Sequence, residues 1–91
     1  NQYEVLSNHE NGKGRYDITL KSKKESLASY IIEFKYLKKD QIKENELEDL
    51  ANQAIQQIKD NQYDHDLTGK IIYIGLAHHG KDVSIKWKEK N

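Results

Sequence analysis

Apolar and polar positions alternate with a period of two over 15–21, where Tyr16, Ile18 and Leu20 fall on one face and Asp17 and Thr19 on the other. The same alternation returns at 83–88, VSIKWK, and predicts a last, edge strand. YEVLS (3–7) predicts a short strand and SYIIEFKYL (29–37) a long, central one. KIIYIGLAH (70–78) is apolar at consecutive positions, as a strand covered on both faces should be. Between 44 and 62 the period becomes helical: Leu47, Leu50, Ala51, Ala54 and Ile58 recur at i, i+3, i+4, i+7 and i+11. Glu44, Glu46, Glu48 and Asp49 load the start of that helix, where its dipole favours acids. Polar stretches at 8–14, 22–26 and 79–82 predict turns, with Gly12 and Gly14 free to take positive φ. Three strands, a helix and two strands give an α+β fold, a five-stranded sheet with a helix after the third strand.

Composition narrows the setting. A chain of 91 residues is a single small domain, 1–91, that buries only about 60% of its unfolded surface. With 33% charged and 35% hydrophobic residues, its core depends on concentrating the apolar ones in a few elements. It has no cysteine, which excludes disulfides and thiolate zinc sites and predicts a reducing, cytoplasmic setting. No apolar run approaches the roughly 20 residues that cross a bilayer, and no membrane partner is expected. No methionine occurs anywhere, so the expectation is a fragment of a longer protein, with an element that completes the site lying outside it. The formal net charge is zero, but lysines gather at Lys21, Lys23 and Lys24, at Lys38 and Lys39, and at Lys86, Lys88 and Lys90. A neutral sum can therefore conceal a basic side; the alternative is a set of solvated strand ends.

Strand parity brings chemistry into view. Glu33 and Lys35 point to one face, with Ile31 beside them, and Asp17 on the preceding strand can lie across from that pair. Two converging carboxylates suit a hard cation such as Mg²⁺ or Mn²⁺. A lysine beside such an ion can orient a water and steady a developing anion. The alternative is a cross-strand salt bridge of Asp17 or Glu33 with Lys35, and spacing alone leaves both open. His65, His78 and His79 do not make a zinc site, because adjacent strand residues point to opposite faces and no fourth ligand is suitably spaced. The glycines at 12 and 14 lack the strand-to-helix context of a phosphate loop. Tyr30, Tyr36, Tyr63, Tyr73 and Trp87 can stack on bases but read mainly as packing residues.

Asp17 followed by Glu33-Phe34-Lys35 resembles the D…(D/E)xK signature of the PD-(D/E)XK nuclease superfamily. The ordered set of Asn8, Glu10, Gly14-Arg15-x-Asp17, Glu33-x-Lys35, Ala54-x-x-Gln57-Ile58 and Tyr63 extends the resemblance from about Tyr3 to Ile85. It is similar to the domain at the C-terminus of bacterial proteins with an N-terminal AAA-ATPase-like domain. The resemblance implies an αβββαβ core with a mixed sheet, and a Mg²⁺- or Mn²⁺-dependent nuclease acting on DNA in preference to RNA. Asp17, Glu33 and the Phe34 carbonyl would hold the ion, Lys35 would serve the attacking water, and Gln57 would join them from the helix. Glu10 would support the ion and Arg15 would meet phosphate. The alternative is a catalytically silent module of the same fold, serving assembly or partner binding. Departures are an N-terminal helix that this chain does not supply, and histidines His78 and His9 where the family has an aromatic and an arginine. The apolar second face of 70–78 would meet that helix in the parent protein; in this chain a second copy, as a homodimer, is expected to cover it.

Overall fold

Strands and helix follow each other as β1 (Tyr3–Glu10), β2 (Arg15–Ser22), β3 (Ser29–Tyr36), α1 (Glu46–Asp60), β4 (Ile71–His79) and β5 (Asp82–Glu89). The computed structural model describes residues 1–10 and 15–90, and the side chains of 1–7 and 17–90. The sheet is five-stranded and its spatial order is the chain order, β1-β2-β3-β4-β5. All neighbours are antiparallel except β3 and β4, which are parallel. A parallel pair needs a crossover, and α1 supplies it. Among the described residues this is a mixed five-stranded sheet with one helix, the α+β arrangement expected.

Element ends differ from expectation for local reasons. The helix runs from Glu46 to Asp60, not 44–62. Asn45 sits in the left-handed region at φ 70°, which no helix can continue through, and Gln62 at φ 53° reverses the chain at the other end. Asn45 makes no side-chain cap. Glu46 takes over: its carboxylate accepts from the Lys43 amide at 3.1 Å and from Lys39 Nζ at 2.8 Å. Those bonds, Lys39 first, hold its carboxyl below the usual range. β1 extends past the expected end at 7, because its ladder with β2 continues to Glu10 opposite Arg15.

The core lies between α1 and one face of β3–β5. Ile31, Ile71 and Tyr73 pack with Ile55 and Ile58, while Ala77 packs with Leu47 and Ala51. Ile55 widens the apolar stripe beyond the five expected positions, and Leu50 is only half-buried. Tyr73 is a core residue rather than a base platform. Among the described residues α1 reaches β3, β4 and β5 but not β1 or β2, so a cleft stays open on the helix side of the sheet. Among the described residues no element packs on the reverse face. Ile72, Ile74 and Leu76 are half-buried there, and Val83, Ile85 and Trp87 are exposed. Within this chain β4 is covered on the helix face, and the reverse face is the one expected to meet a further helix or a second copy. No helix among the described residues is long and apolar enough to cross a membrane.

Candidate active site on the β2–β3 ladder

The antiparallel register of β2 and β3 sets Asp17 directly opposite Glu33. Residues opposed in this way share a face, with Cβ atoms about 5 Å apart. That face is the helix side, because the next pair along, Thr19 and Ile31, includes the Ile31 that packs beneath Ile55 and Ile58. Asp17 is 5% exposed and Glu33 only 1%. Glu33 is one of the largest fully buried side chains, and its Oε1 is shut off from solvent. Burying two carboxylates side by side is costly unless cationic or hydrogen-bonding groups offset it.

Lys35 follows on the same face, half-buried. α1 runs back over β3 towards the foot of the strand, and this lets the Lys35 Nζ donate to Gln57 Oε1. The other half of that amide, Gln57 Nε2, is buried and donates to no described residue. A pocket of about 400 Å³ opens beside Lys35 and Gln57, walled by Gln53, Gln56 and Asp60 of α1. A second, of about 250 Å³, lies over Asp17, Thr19 and Lys21. Asn61 borders both, so they lie end to end in the cleft that α1 leaves open. Phe34 alternates to the reverse face; only its backbone belongs to the site. Glu10 and Arg15 have side chains outside the described residues.

The donor set fits a hard divalent ion. Asp17 and Glu33 offer carboxylate oxygens from adjacent positions, and a Phe34 carbonyl would add a third oxygen without a third acid. Among the described residues no group of three His, Cys, Asp or Glu gathers to hold an ion by itself, so an ion at Asp17 and Glu33 would need backbone and water oxygens as well. The histidines have other partners. His78 lies 4.6 Å from the Tyr36 ring, His79 Nε2 bonds the Lys39 carbonyl, and His65 is 3.3 Å from Asp66.

One constellation was not anticipated. Asp64, 8% exposed, accepts from the Tyr73 hydroxyl and from Lys90 Nζ, both at 2.7 Å. Burial pushes its carboxyl up, but the bonds from Lys90 and Tyr73 outweigh that and hold it below the usual range. Burial, and then the bond to that carboxylate, push the Tyr73 hydroxyl up to about 12. The network ties the segment after α1 to β4 and the chain's end. The sequence signal was Tyr73 itself, a tyrosine at a buried strand position that needs an acceptor.

A family model described as the PD-(D/E)XK nuclease superfamily matches residues 1–88. No curated protein and no solved structure matches the chain.

Proposed function

We propose that this chain, which belongs to the PD-(D/E)XK nuclease superfamily, hydrolyses phosphodiester bonds in DNA through Asp17, Glu33, Lys35 and Gln57. The observation that carries this reading is the opposition of Asp17 and Glu33 across the β2–β3 ladder, both buried, with Lys35 one step along the same face. Asp17, Glu33 and the Phe34 carbonyl would hold Mg²⁺ or Mn²⁺, which when bound neutralises phosphate charge and lowers the pKa of a water. Lys35 brings an ammonium with three donors, of which Gln57 Oε1 takes one. Beside a bound ion, that ammonium would orient the attacking water and offset the charge that builds on the phosphate oxygens. Gln57 therefore positions Lys35 while its Nε2 is left to donate to substrate. By the family resemblance, Arg15 would meet phosphate and Glu10 would support the ion. The likeness to a domain that follows an AAA-ATPase-like region supports a bacterial, cytoplasmic setting beside such a domain.

Cleavage of supercoiled plasmid and of RNA with Mg²⁺ or Mn²⁺ tests the proposal. Lys35→Ala should lower the rate at least about 100-fold while DNA affinity stays within about threefold, since the lost donors act on developing charge. Equal cleavage by wild type and Lys35→Ala would assign the activity to another source. Glu33→Gln should abolish calorimetric Mn²⁺ binding without unfolding the chain, and unchanged binding would place the ion elsewhere.

A further inference from the structure

The pocket of about 250 Å³ beyond Asp17 has a different character from the site it adjoins. Its floor is the outer row of β2, Thr19 and Lys21, in line with Asp17. Its walls include Leu6, Tyr63 and Leu67, and His65 stands at its rim. Leu6 is 45% exposed and sits on the helix side of β1, opposite Thr19, where α1 does not reach. A leucine there has no core to join, so its apolar surface faces the pocket.

The opposite wall is held firmly. Asp64 is buried to anchor the segment 61–67 through Tyr73 and Lys90. Within that segment Asn61 Nδ2 donates to the Tyr63 hydroxyl at 3.0 Å, and His65 Nδ1 lies 3.1 Å from the Gln62 carbonyl. Tyr63 and Leu67 also lean on the core cluster. A short polar segment is thus fixed before any ligand arrives, which lowers the cost of binding.

We infer that this pocket takes one unpaired nucleobase of the strand whose phosphate lies at Asp17, so that the domain prefers single-stranded or frayed nucleic acid. Leu6 and Leu67 supply apolar contact and Tyr63 and His65 ring surface, the sequence-tolerant combination that holds single strands. Lys21 meets the backbone phosphate next to the one at the carboxylates. A base that enters the pocket between Leu6 and the segment 61–67 must first leave its neighbours in an intact duplex, at a cost of a few kcal/mol. The inference rests on the nuclease reading for the direction of the strand but not for its test.

That test is binding without turnover. Fluorescence anisotropy with Ca²⁺ in place of Mg²⁺ compares a fluorescein-labelled single strand of about ten bases with the blunt duplex of the same sequence. The single strand should bind at least about tenfold tighter. Leu6→Ala and His65→Ala should each weaken single-strand binding about fivefold and leave duplex binding unchanged. Both positions are exposed, so neither change disturbs the core, and far-ultraviolet dichroism verifies this. Equal affinity for the two forms, or single-strand binding indifferent to Leu6→Ala, overturns the inference even if the chain cleaves DNA. A single-strand preference sensitive to both changes sustains it even if hydrolysis is never found.

Discussion

Tyr73 is tolerated deep in the sheet because its hydroxyl ends on a carboxylate that Lys90 also holds. Tyr73→Phe leaves Asp64 with one strong donor fewer and should cost about 1–2 kcal/mol in urea unfolding. The pH dependence has two limbs. The Asp64 pKa is lower folded than unfolded, so its contribution is present above the unfolded value and is lost as pH falls below about 4 through the folded one. The Tyr73 pKa is raised to about 12, so its contribution is full below about 10 and is lost as pH rises towards 12. Thermal melts across that range should show both limbs in wild type, and Tyr73→Phe should flatten the alkaline one. An unchanged alkaline limb in the variant would mean that another group carries it. Gln57 is a second residue whose role is set by one contact. Gln57→Ala should lower kcat about tenfold or more and also raise KM, because it removes both the acceptor that holds Lys35 and the Nε2 that would donate to substrate. Rescue by Gln57→Glu, which keeps an acceptor at the same place, would separate positioning from packing.

At the scale of elements, the approach of α1 to the sheet depends on Gly75. A Cβ built there would lie 2.0 Å from the Ala51 carbonyl oxygen and 3.1 Å from Ala54 Cβ. The first is backbone and cannot turn aside, so Gly75→Ala must push the helix off β4. We expect a loss of about 1–3 kcal/mol and looser packing of the pair Leu47 and Ala77, read by denaturation and by amide exchange in β4. Wild-type stability in this variant would show that the helix shifts freely. Much of the layout was legible because strands and helices write different periods. The alternation in 15–21 and the run 29–37 allowed Asp17 and Glu33 to share one face, while Gln57 was marked only by the family resemblance. Helix ends were less legible, because the left-handed Asn45 and Gln62 are permitted by their neighbours and not compelled by them. Asp64 was illegible for another reason. It stands in the polar run KDNQYDHD, where nothing local marks which acid turns inward; only the position of Tyr73, nine residues on, selects it.

For the whole molecule the unbalanced feature is the reverse face of the sheet. Five strands about 4.8 Å apart, with eight or nine residues each at about 3.3 Å, present roughly 600 Å² of projected face. From Val5 on β1 to Trp87 on β5 its described positions are apolar or neutral, save Glu89 at the end of β5, which pairs with Lys70 at 3.7 Å. Exposed patches of this size mark contacts. Two such faces stacked about a two-fold axis would bury about 1,200 Å² or more, the lower bound for a stable interface, and would set no buried like charges against each other. The chain should therefore self-associate through this face at high concentration. Trp87 reports on it directly, being the single tryptophan and 69% exposed. Its emission should move to shorter wavelength as sedimentation equilibrium shows the weight-average mass rising towards twice 10.7 kDa. Ile85→Lys should hold the chain monomeric with its emission at long wavelength, and should cost little stability because that side chain is already 58% exposed. A wild-type chain that stays monomeric at millimolar concentration, with Trp87 still emitting as a solvated indole, would show that this face is reserved for something other than a second copy.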